Sequence, residues 1–477
     1  MKIKFVELSN FRKLKCTHID LDEKTTIFVG ANNSGKTSAM VALRYFLLAP
    51  SRLSLRDITI ANWPKLDALG VTWENGTSIE TNLDDLLPAL DIWLDVPLCE
   101  IQDVIHALPT LDWNGGLLGV RLQYQVENLE KLKTHYLSDR AAAQQCQSGA
   151  RVGQAAKARI WPVSLTEFLE RRLRVHVGLA AFALDPTAYV PPEKGLAAPQ
   201  KLPGDALPLE KNPFKRLIKV DEIAAQRDFA DAGDRGTAAP AEDGQDSGSR
   251  RFKRRLSDQL RAYYDRHLDP AKLPSAADYE ALSAIQLAER SFDDRLRASF
   301  AAAFKELQGL GYPGMTNPKL KISTQLRATD GLRHGSAVQY EVANPAGDGS
   351  NALHLPEDYS GLGYQNLIAM VFMLMSYRDE WMRVGKVLAE IDGDALEQIP
   401  PLHLVLVEEP EVHLHAQVQQ VFIKKAYALL RNHVDLRDKA RFSTQLVVST
   451  HSSHVAHEAD FASLRYFSVR PRTLRVI

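Results

Sequence analysis

Residues 30–37 read Gly-Ala-Asn-Asn-Ser-Gly-Lys-Thr and fit the pattern G-x-x-x-x-G-K-[ST] at every fixed position. These residue types suit the grip of a phosphate chain. Glycines let the backbone wrap an anion closely, and the N–H groups that open the following helix point at it. Lys36 would reach the β- and γ-phosphates and the Thr37 hydroxyl would ligate Mg²⁺, with Gly30, Ala31, Asn32, Asn33, Ser34, Gly35 and Ser38 completing the cradle. Far along the chain, the apolar run Leu404-Val405-Leu406-Val407 ends in Glu408-Glu409. The first acid at such a strand end can hold a metal ion through water, and the second can orient or deprotonate an attacking water. Glu408 is therefore the expected metal acid, one methylene longer than the usual Asp, and Glu409 the expected general base. A third strand end, Gln445 to Ser449 followed by Thr450-His451, offers an imidazole that can contact a γ-phosphate. Tyr359-Ser360-Gly361-Leu362-Gly363 precedes an apolar helix, where the Ser360 hydroxyl and the amides exposed by Gly361 and Gly363 make a second candidate anion site.

The flanking patterns supply elements to hold these groups. Lys2 to Leu8 alternates as a half-buried strand does, and Thr25 to Val29 is a β-branched and aromatic run ending at Gly30. A helix is expected over Ser38 to Leu48, with Met40, Leu43, Phe46 and Leu47 as its apolar positions. Further strands are expected at Asp91 to Val96, Leu117 to Gln125, Leu402 to Val407 and Gln445 to Ser449, with helices at Tyr364 to Arg378 and Ala416 to Leu430. The acidic strand is expected to lie beside the phosphate loop. Between these parts the chain changes character. It turns rich in Ala, Gln and Arg from about Glu130, and 230–249 has the composition of a flexible segment. Arg250 to Gly309 has helical stripes, and alternation returns at Leu320 and Ile322. The order predicts one α/β nucleotide-binding domain in two pieces, 1–130 and 316–477, interrupted by a mostly helical insertion over 131–315.

Composition narrows the class. The chain has 477 residues, and Lys and Arg number 58 against 59 Asp and Glu, which excludes a uniformly basic nucleic-acid coat but not a local basic surface. Two basic clusters could meet DNA phosphates: Arg250, Arg251, Lys253, Arg254 and Arg255, and Arg465, Arg470, Arg472 and Arg475. Cys16, Cys99 and Cys146 lack ligand-like spacing, so neither a disulfide scaffold nor a zinc site is expected. His413, His415, His454 and His457 form only weak metal patterns. The longest apolar run, near Leu367 to Met375, is too short for a bilayer, and the N-terminus does not read as a secretory signal. A cytoplasmic protein with no membrane partner is expected.

The order of phosphate loop, insertion, Ser-Gly helix start, acidic strand and Thr-His strand resembles the ABC-type ATPase heads of SMC and RecF-like DNA-repair proteins. The resemblance implies an α/β P-loop NTPase fold with ATP and Mg²⁺ as cofactors. It also implies a homodimer that sandwiches two ATP molecules, in which Ser360, Gly361 and Gly363 of one head cap the γ-phosphate held by the other. Ser9-Asn10-Phe11-Arg12 resembles the N-terminal motif of those heads, which implies that Arg12 lies near the nucleotide. Such heads also have a glutamine linking their lobes, for which Gln102, Gln123 and Gln125 are equal alternatives.

A closer resemblance is to the OLD (overcoming lysogenization defect) family. It is carried by residues 30–37, by Glu408-Glu409-Pro410-Glu411 with Leu414-His415 after it, and by Ser449-Thr450-His451-Ser452-Ser453-His454. The middle of the chain matches loosely, through Ile218 to Arg227, and Ala416 stands where the family usually has Pro. This resemblance implies ATP hydrolysis in DNA processing, repair or antiphage defence, with DNA and a separate Toprim nuclease as expected partners. OLD proteins typically continue into a Toprim nuclease domain, whereas 26 residues follow His451, so nuclease activity is not expected from this chain. A stand-alone ATPase, the ATPase part of a longer endonuclease and a slow or non-hydrolysing ATP switch all stay open at this point.

Overall fold

The computed structural model describes residues 1–77, 82–108, 110, 112–148, 160–193, 195–203, 206–224, 256–270, 274–309, 339–342, 353–356, 361–385, 399–412, 414–438, 441–470 and 473–476. Their strands are β1 (Lys2–Phe11), β2 (Leu14–Asp20), β3 (Thr25–Gly30), β4 (Ala89–Val96), β5 (Gly116–Val126), β6 (Val177–Leu184), β7 (Ile218–Ile223), β8 (Gln339–Val342), β9 (Leu353–Pro356), β10 (Leu402–Glu408), β11 (Ser443–Ser449), β12 (Leu464–Arg470) and β13 (Thr473–Val476). The helices are α1 (Lys36–Leu47), α2 (Trp63–Glu74), α3 (Leu129–Ser148), α4 (Leu165–His176), α5 (Phe214–Leu217), α6 (Leu256–His267), α7 (Tyr279–Gly309), α8 (Leu362–Trp381), α9 (Ala416–Leu430), α10 (Val434–Asp438) and α11 (Ser453–Glu458).

The chain divides into two compact units. One draws on Met1–Arg227 and Gln398–Ile477, the other mainly on Arg251–Glu397. The first unit holds two sheets. An antiparallel sheet runs β2-β1-β4-β5-β6, and a second runs β13-β12-β3-β11-β10-β7, parallel except for the β12–β13 pair. β10 is buried along its whole length, as expected of a parallel strand covered on both faces. Helix α1 packs on both sheets. Ala39, Met40, Val41, Ala42, Leu43 and Phe46 are all buried, a broad apolar face that packs into the core. Met40, Leu43 and Phe46 join one core with Val6 and Leu8 of β1, Leu404 and Leu406 of β10, and Val447 of β11. Each such side chain contributes roughly 1.5–3 kcal/mol by leaving water.

Two polar devices tie this core together. The buried Gln445 of β11 accepts from the Ile3 amide at 2.8 Å and donates to the carbonyls of Ile3 and Asp22 at 2.8 and 2.9 Å, joining the two sheets. Of the glutamines named above, Gln123 donates to the Asp84 carbonyl at 3.1 Å. The second device is Arg44 of α1, which donates to Glu222 of β7 at 2.8 Å. Burial pushes the Glu222 carboxyl up, and the Arg44 charge pulls it back.

The described elements refine the expected organisation. The region 131–315, expected to be mostly helical, also supplies two strands: β6 extends the antiparallel sheet and β7 closes the parallel one beside β10. Both escaped notice because β6 is rich in Ala and Gly and β7 carries Lys219, Asp221 and Glu222, charges that Arg44 and His403 partner across the fold. The start of the 316–477 piece, with β8, β9 and α8, falls in the second unit rather than with the sheets. β11 lies between β3 and β10, and the acidic strand end still reaches the loop, since Glu409 acts on Lys36 and meets His451 at 3.2 Å. The segment 230–249, the cluster from Arg250 to Arg255 and the alternation at Leu320 and Ile322 lie outside the described residues. Among the described residues no helix is long and apolar enough to cross a membrane.

The antiparallel sheet carries a row of buried charge. Register aligns His18 with Glu7, Glu7 with Asp91, and Asp91 with Arg121. Arg121 grips Asp91 through two bonds of 2.6 Å, and the His18 ring meets Glu7 and Asp20 at 3.1 Å each. Burial alone would pull the His18 imidazolium down, but the hydrogen bonds and charges of Asp20 and Glu7 outweigh it and push it up to about 9. A folded value above the unfolded one means stability that is complete below about 6.5 and lost as pH rises through about 9. Urea unfolding midpoints of the wild type should therefore fall between neutral pH and about 10. A His18→Gln variant should be less stable at neutral pH and show a flatter decline; an equally steep decline would remove His18 from the account.

Candidate nucleotide-binding site

The phosphate loop lies between β3 and α1, and its backbone is specialised. Gly30 has φ 147°, Asn33 φ 63° and Gly35 φ 107°. A Cβ at Gly30 would stand 2.4 Å from the Phe467 carbonyl oxygen of neighbouring β12, so the position demands glycine. Gly35 caps α1 without any side-chain acceptor, and no acid occupies the first turn. The amides at this helix start are left for an anion, where the helix dipole favours negative charge. Ala31, Asn32, Asn33 and Thr37 are exposed around this opening, Ser38 is half-buried, and Ser34 and Lys36 are buried.

Lys36 turns back over the loop. Its ammonium donates to the Gly30 carbonyl at 2.7 Å and the Ala31 carbonyl at 3.0 Å, and meets His451 Nδ1 at 3.3 Å. Burial pulls the ammonium down from its ordinary range, opposed by the charges of Glu409 and Glu411. An ammonium can only donate, so His451 Nδ1 accepts, which leaves the Nε2 side facing Glu409 Oε1 at 3.2 Å. Lys36, His451 and Glu409 thus form one continuous polar chain.

Strand register explains how residues so far apart meet. β11 pairs Ser449 with Phe28 of β3 on one side and with Glu408 of β10 on the other. The Thr450 amide then bonds the Phe28 carbonyl at 3.0 Å, and the Glu409 amide bonds the Ser449 carbonyl at 2.9 Å. Glu409 adopts φ 45°, a strained conformation for a side-chain-bearing residue and one that recurs at functional sites. Glu408 is buried at its strand end, and Thr37 is exposed at the start of α1. A hydroxyl and a carboxylate are hard oxygen donors suited to Mg²⁺.

Arg12, expected near the nucleotide, pairs with an acid of the fold. It sits at φ 50° in the turn after β1, and its Nε donates to Asp57 Oδ1 at 2.8 Å. Asp57 also receives Ser54 N–H and O–H, so it anchors the turn. Lys13 also reaches the phosphate loop, its ammonium donating to the Asn33 carbonyl at 3.3 Å. Sequence reasoning also passed over Glu411, whose Oε1 accepts from the His451 amide at 2.6 Å. Only its place in the Glu-Glu-Pro-Glu run could have signalled it. In the second unit, Gly361 caps the 20-residue helix α8 with no side-chain acceptor and Gly363 lies in its first turn, while Ser360 is outside the described residues. Of the remaining histidines, His454 and His457 lie on α11 and His415 caps α9, whereas His413 is outside the described residues. Arg465 is occupied by the carbonyls of Asp20, Ala462 and Leu464, so this member of the C-terminal basic cluster is committed to the fold.

The sequence model for the AAA ATPase domain matches residues 1–89 and 233–456. Endonuclease GajA of Bacillus cereus (strain HuB5-5) is 26% identical over 140 residues, which is 29% of this chain and 18% of that protein. DNA replication and repair protein RecF of Clostridium kluyveri is 36% identical over 63 residues, which is 13% of this chain and 17% of that protein. The chain spans less than a fifth of the length of these curated relatives. Among solved structures, the SMC head domain from Thermotoga maritima aligns over 100% of this chain and 98% of its own, at 11% identity and a TM-score of 0.34.

The crowding at Gly30 gives a test of the loop. Gly30→Ala should weaken binding of a fluorescent ATP analogue and cost about 1–3 kcal/mol of stability through backbone strain and the Phe467 clash. Gly76→Ala is the control: φ is +68° and no described atom lies within 4 Å of the added Cβ, so binding should be unchanged. Equal binding by both variants would show that the loop tolerates a Cβ where the geometry forbids one.

Proposed function

Because the chain belongs to the AAA ATPase domain family, we propose that it binds Mg-ATP in the loop at 30–37 and hydrolyses it. In this reading it works as one ABC-type head of a nucleotide-dependent homodimer engaged in DNA processing, repair or antiphage defence. The observation that carries the reading is the polar chain Lys36–His451–Glu409, which connects the phosphate-gripping lysine to the expected base through the expected γ-phosphate sensor.

Each residue has a task in this reading. The loop amides and Lys36 hold the phosphates, with Lys36 exchanging its carbonyl and His451 contacts for phosphate oxygens. Lys13 adds a second positive charge from the β1–β2 turn. Thr37 and Glu408 hold Mg²⁺, which when bound supplies charge against the phosphate oxygens. Glu409 orients and deprotonates the attacking water, and His451, released from Lys36, meets the γ-phosphate. The uncapped start of α8 at Gly361, with Ser360 and Gly363, caps that phosphate in trans within the dimer. GajA is named an endonuclease and RecF a replication and repair protein, and these names support DNA as the medium in which the cycle runs. A separate nuclease effector fits the same reading.

A second reading has its own observation. Glu409 is engaged by His451 and sits in a strained backbone, which suits a head that binds ATP as a dimerising ligand and turns it over slowly. Multiple-turnover assays with and without DNA separate the two. In the hydrolytic reading, Lys36→Ala loses ATP binding, whereas Glu409→Gln retains it within about threefold and loses about 10²–10⁴-fold in turnover. Light scattering should show Glu409→Gln trapped as a dimer with ATP. Normal hydrolysis by Glu409→Gln would sink the base assignment.

A further inference from the structure

We propose that Glu411 is a positioning residue for this reaction: it holds the backbone of His451 so that the imidazole stays at the phosphate end while its ring exchanges partners. The inference rests on the ATPase reading above and adds to it a residue with no direct part in the chemistry.

His451 lies beyond the end of β11, in the exposed stretch before α11. Three contacts hold it: Lys36 at Nδ1, Glu409 at Nε2, and Glu411 at the main-chain N–H. The first two are the contacts a bound nucleotide must disturb, because Lys36 turns to the phosphates and Glu409 to the water. The third is directed to the backbone and is compatible with either state of the ring. At 2.6 Å it is also a short, charge-assisted bond of the stronger kind.

Glu411 is itself well anchored. The Val412 amide bonds the Glu409 carbonyl, the Leu414 amide bonds the Glu411 carbonyl, and the Leu414 side chain is buried. The turn that follows β10 is therefore closed by its own backbone bonds and anchored by the buried Leu414. The Oε2 atom of Glu411 is buried with no hydrogen-bond partner among the described residues. A buried carboxylate oxygen left without a partner is costly, so structure alone is a poor reason for an acid here. Its charge does act on the neighbouring Lys36, supporting the ammonium against burial. Glu411 thus couples His451 to the end of β10, where Glu408 and Glu409 stand.

The test uses the full chain, with Glu411→Ala and Glu411→Gln compared to wild type. A misplacement of about 1 Å can cost about 10²-fold in rate. Glu411→Ala should therefore lose about tenfold to a hundredfold in kcat while KM for ATP stays within about threefold. Glu411→Gln keeps an acceptor for the His451 amide and should stay within about threefold of wild type in both. Amide hydrogen exchange of the peptide carrying His451 provides a readout independent of turnover. Exchange should be slow in wild type and Glu411→Gln and about tenfold faster in Glu411→Ala. Wild-type kcat in Glu411→Ala, a glutamine variant as impaired as alanine, a loss confined to ATP binding, or unchanged exchange would each overturn the proposal. Absence of turnover in the wild type would instead count against the ATPase reading, and the exchange result would still decide the positioning role.

Discussion

Everything at the site depends on the parallel pairing of β3, β11 and β10. Phe28, Ser449 and Glu408 stand in register across the three strands, so the phosphate loop, His451 and the acidic pair all leave the sheet at one edge. A slip of one residue in any strand would turn its side chains to the opposite face and dissolve the Lys36–His451–Glu409 chain. The register is protected by burial. β10 is enclosed along its length, α1 packs against both sheets, and Gln445 spends three hydrogen bonds holding β11 to β1 and to the turn after β2. Ligands of open α/β sheets gather at the carboxyl ends of the strands, and this site follows that rule.

Electrostatics at the edge is balanced rather than neutral by default. Lys36 is buried, which disfavours its charge, and Glu409 and Glu411 oppose that effect. The same acids would repel a nucleotide if they faced it alone. The uncapped amides of α1, the Lys36 ammonium and Lys13 supply the compensating positive field. The near-zero net charge of the chain therefore conceals a strongly patterned site.

Much of this was legible in the sequence, and the reasons differ by residue. The phosphate loop is contiguous, and its glycines at 30 and 35 have the backbone angles that such a loop requires. β10 announces itself by the unbroken apolar run Leu404 to Val407, β11 by the shorter Leu446 to Val448, and α9 matches its expected bounds. What escaped depends on contacts between distant parts of the chain. Gln445 meets Ile3 across 442 residues, and nothing local to either marks the bond. β7 looked polar because its charges are partnered by Arg44 and His403, on other elements. The position of β11 between β3 and β10 is a matter of sheet order, which spacing along the chain does not encode. Glu411 was visible only as part of a motif, since its role lies in a bond to the backbone of His451.

The central claim is that the polar chain at the end of β3, β11 and β10 is the place of the γ-phosphate. The most direct measurement is an experimental structure of the full chain with a non-hydrolysable ATP analogue and Mg²⁺. The account predicts the γ-phosphate within hydrogen-bond distance, about 3 Å, of both Lys36 Nζ and His451, with the Lys36–His451 contact broken and the Glu411 bond to the His451 amide kept. An analogue bound elsewhere, or one bound in the loop with the Lys36–His451 contact intact, would contradict it.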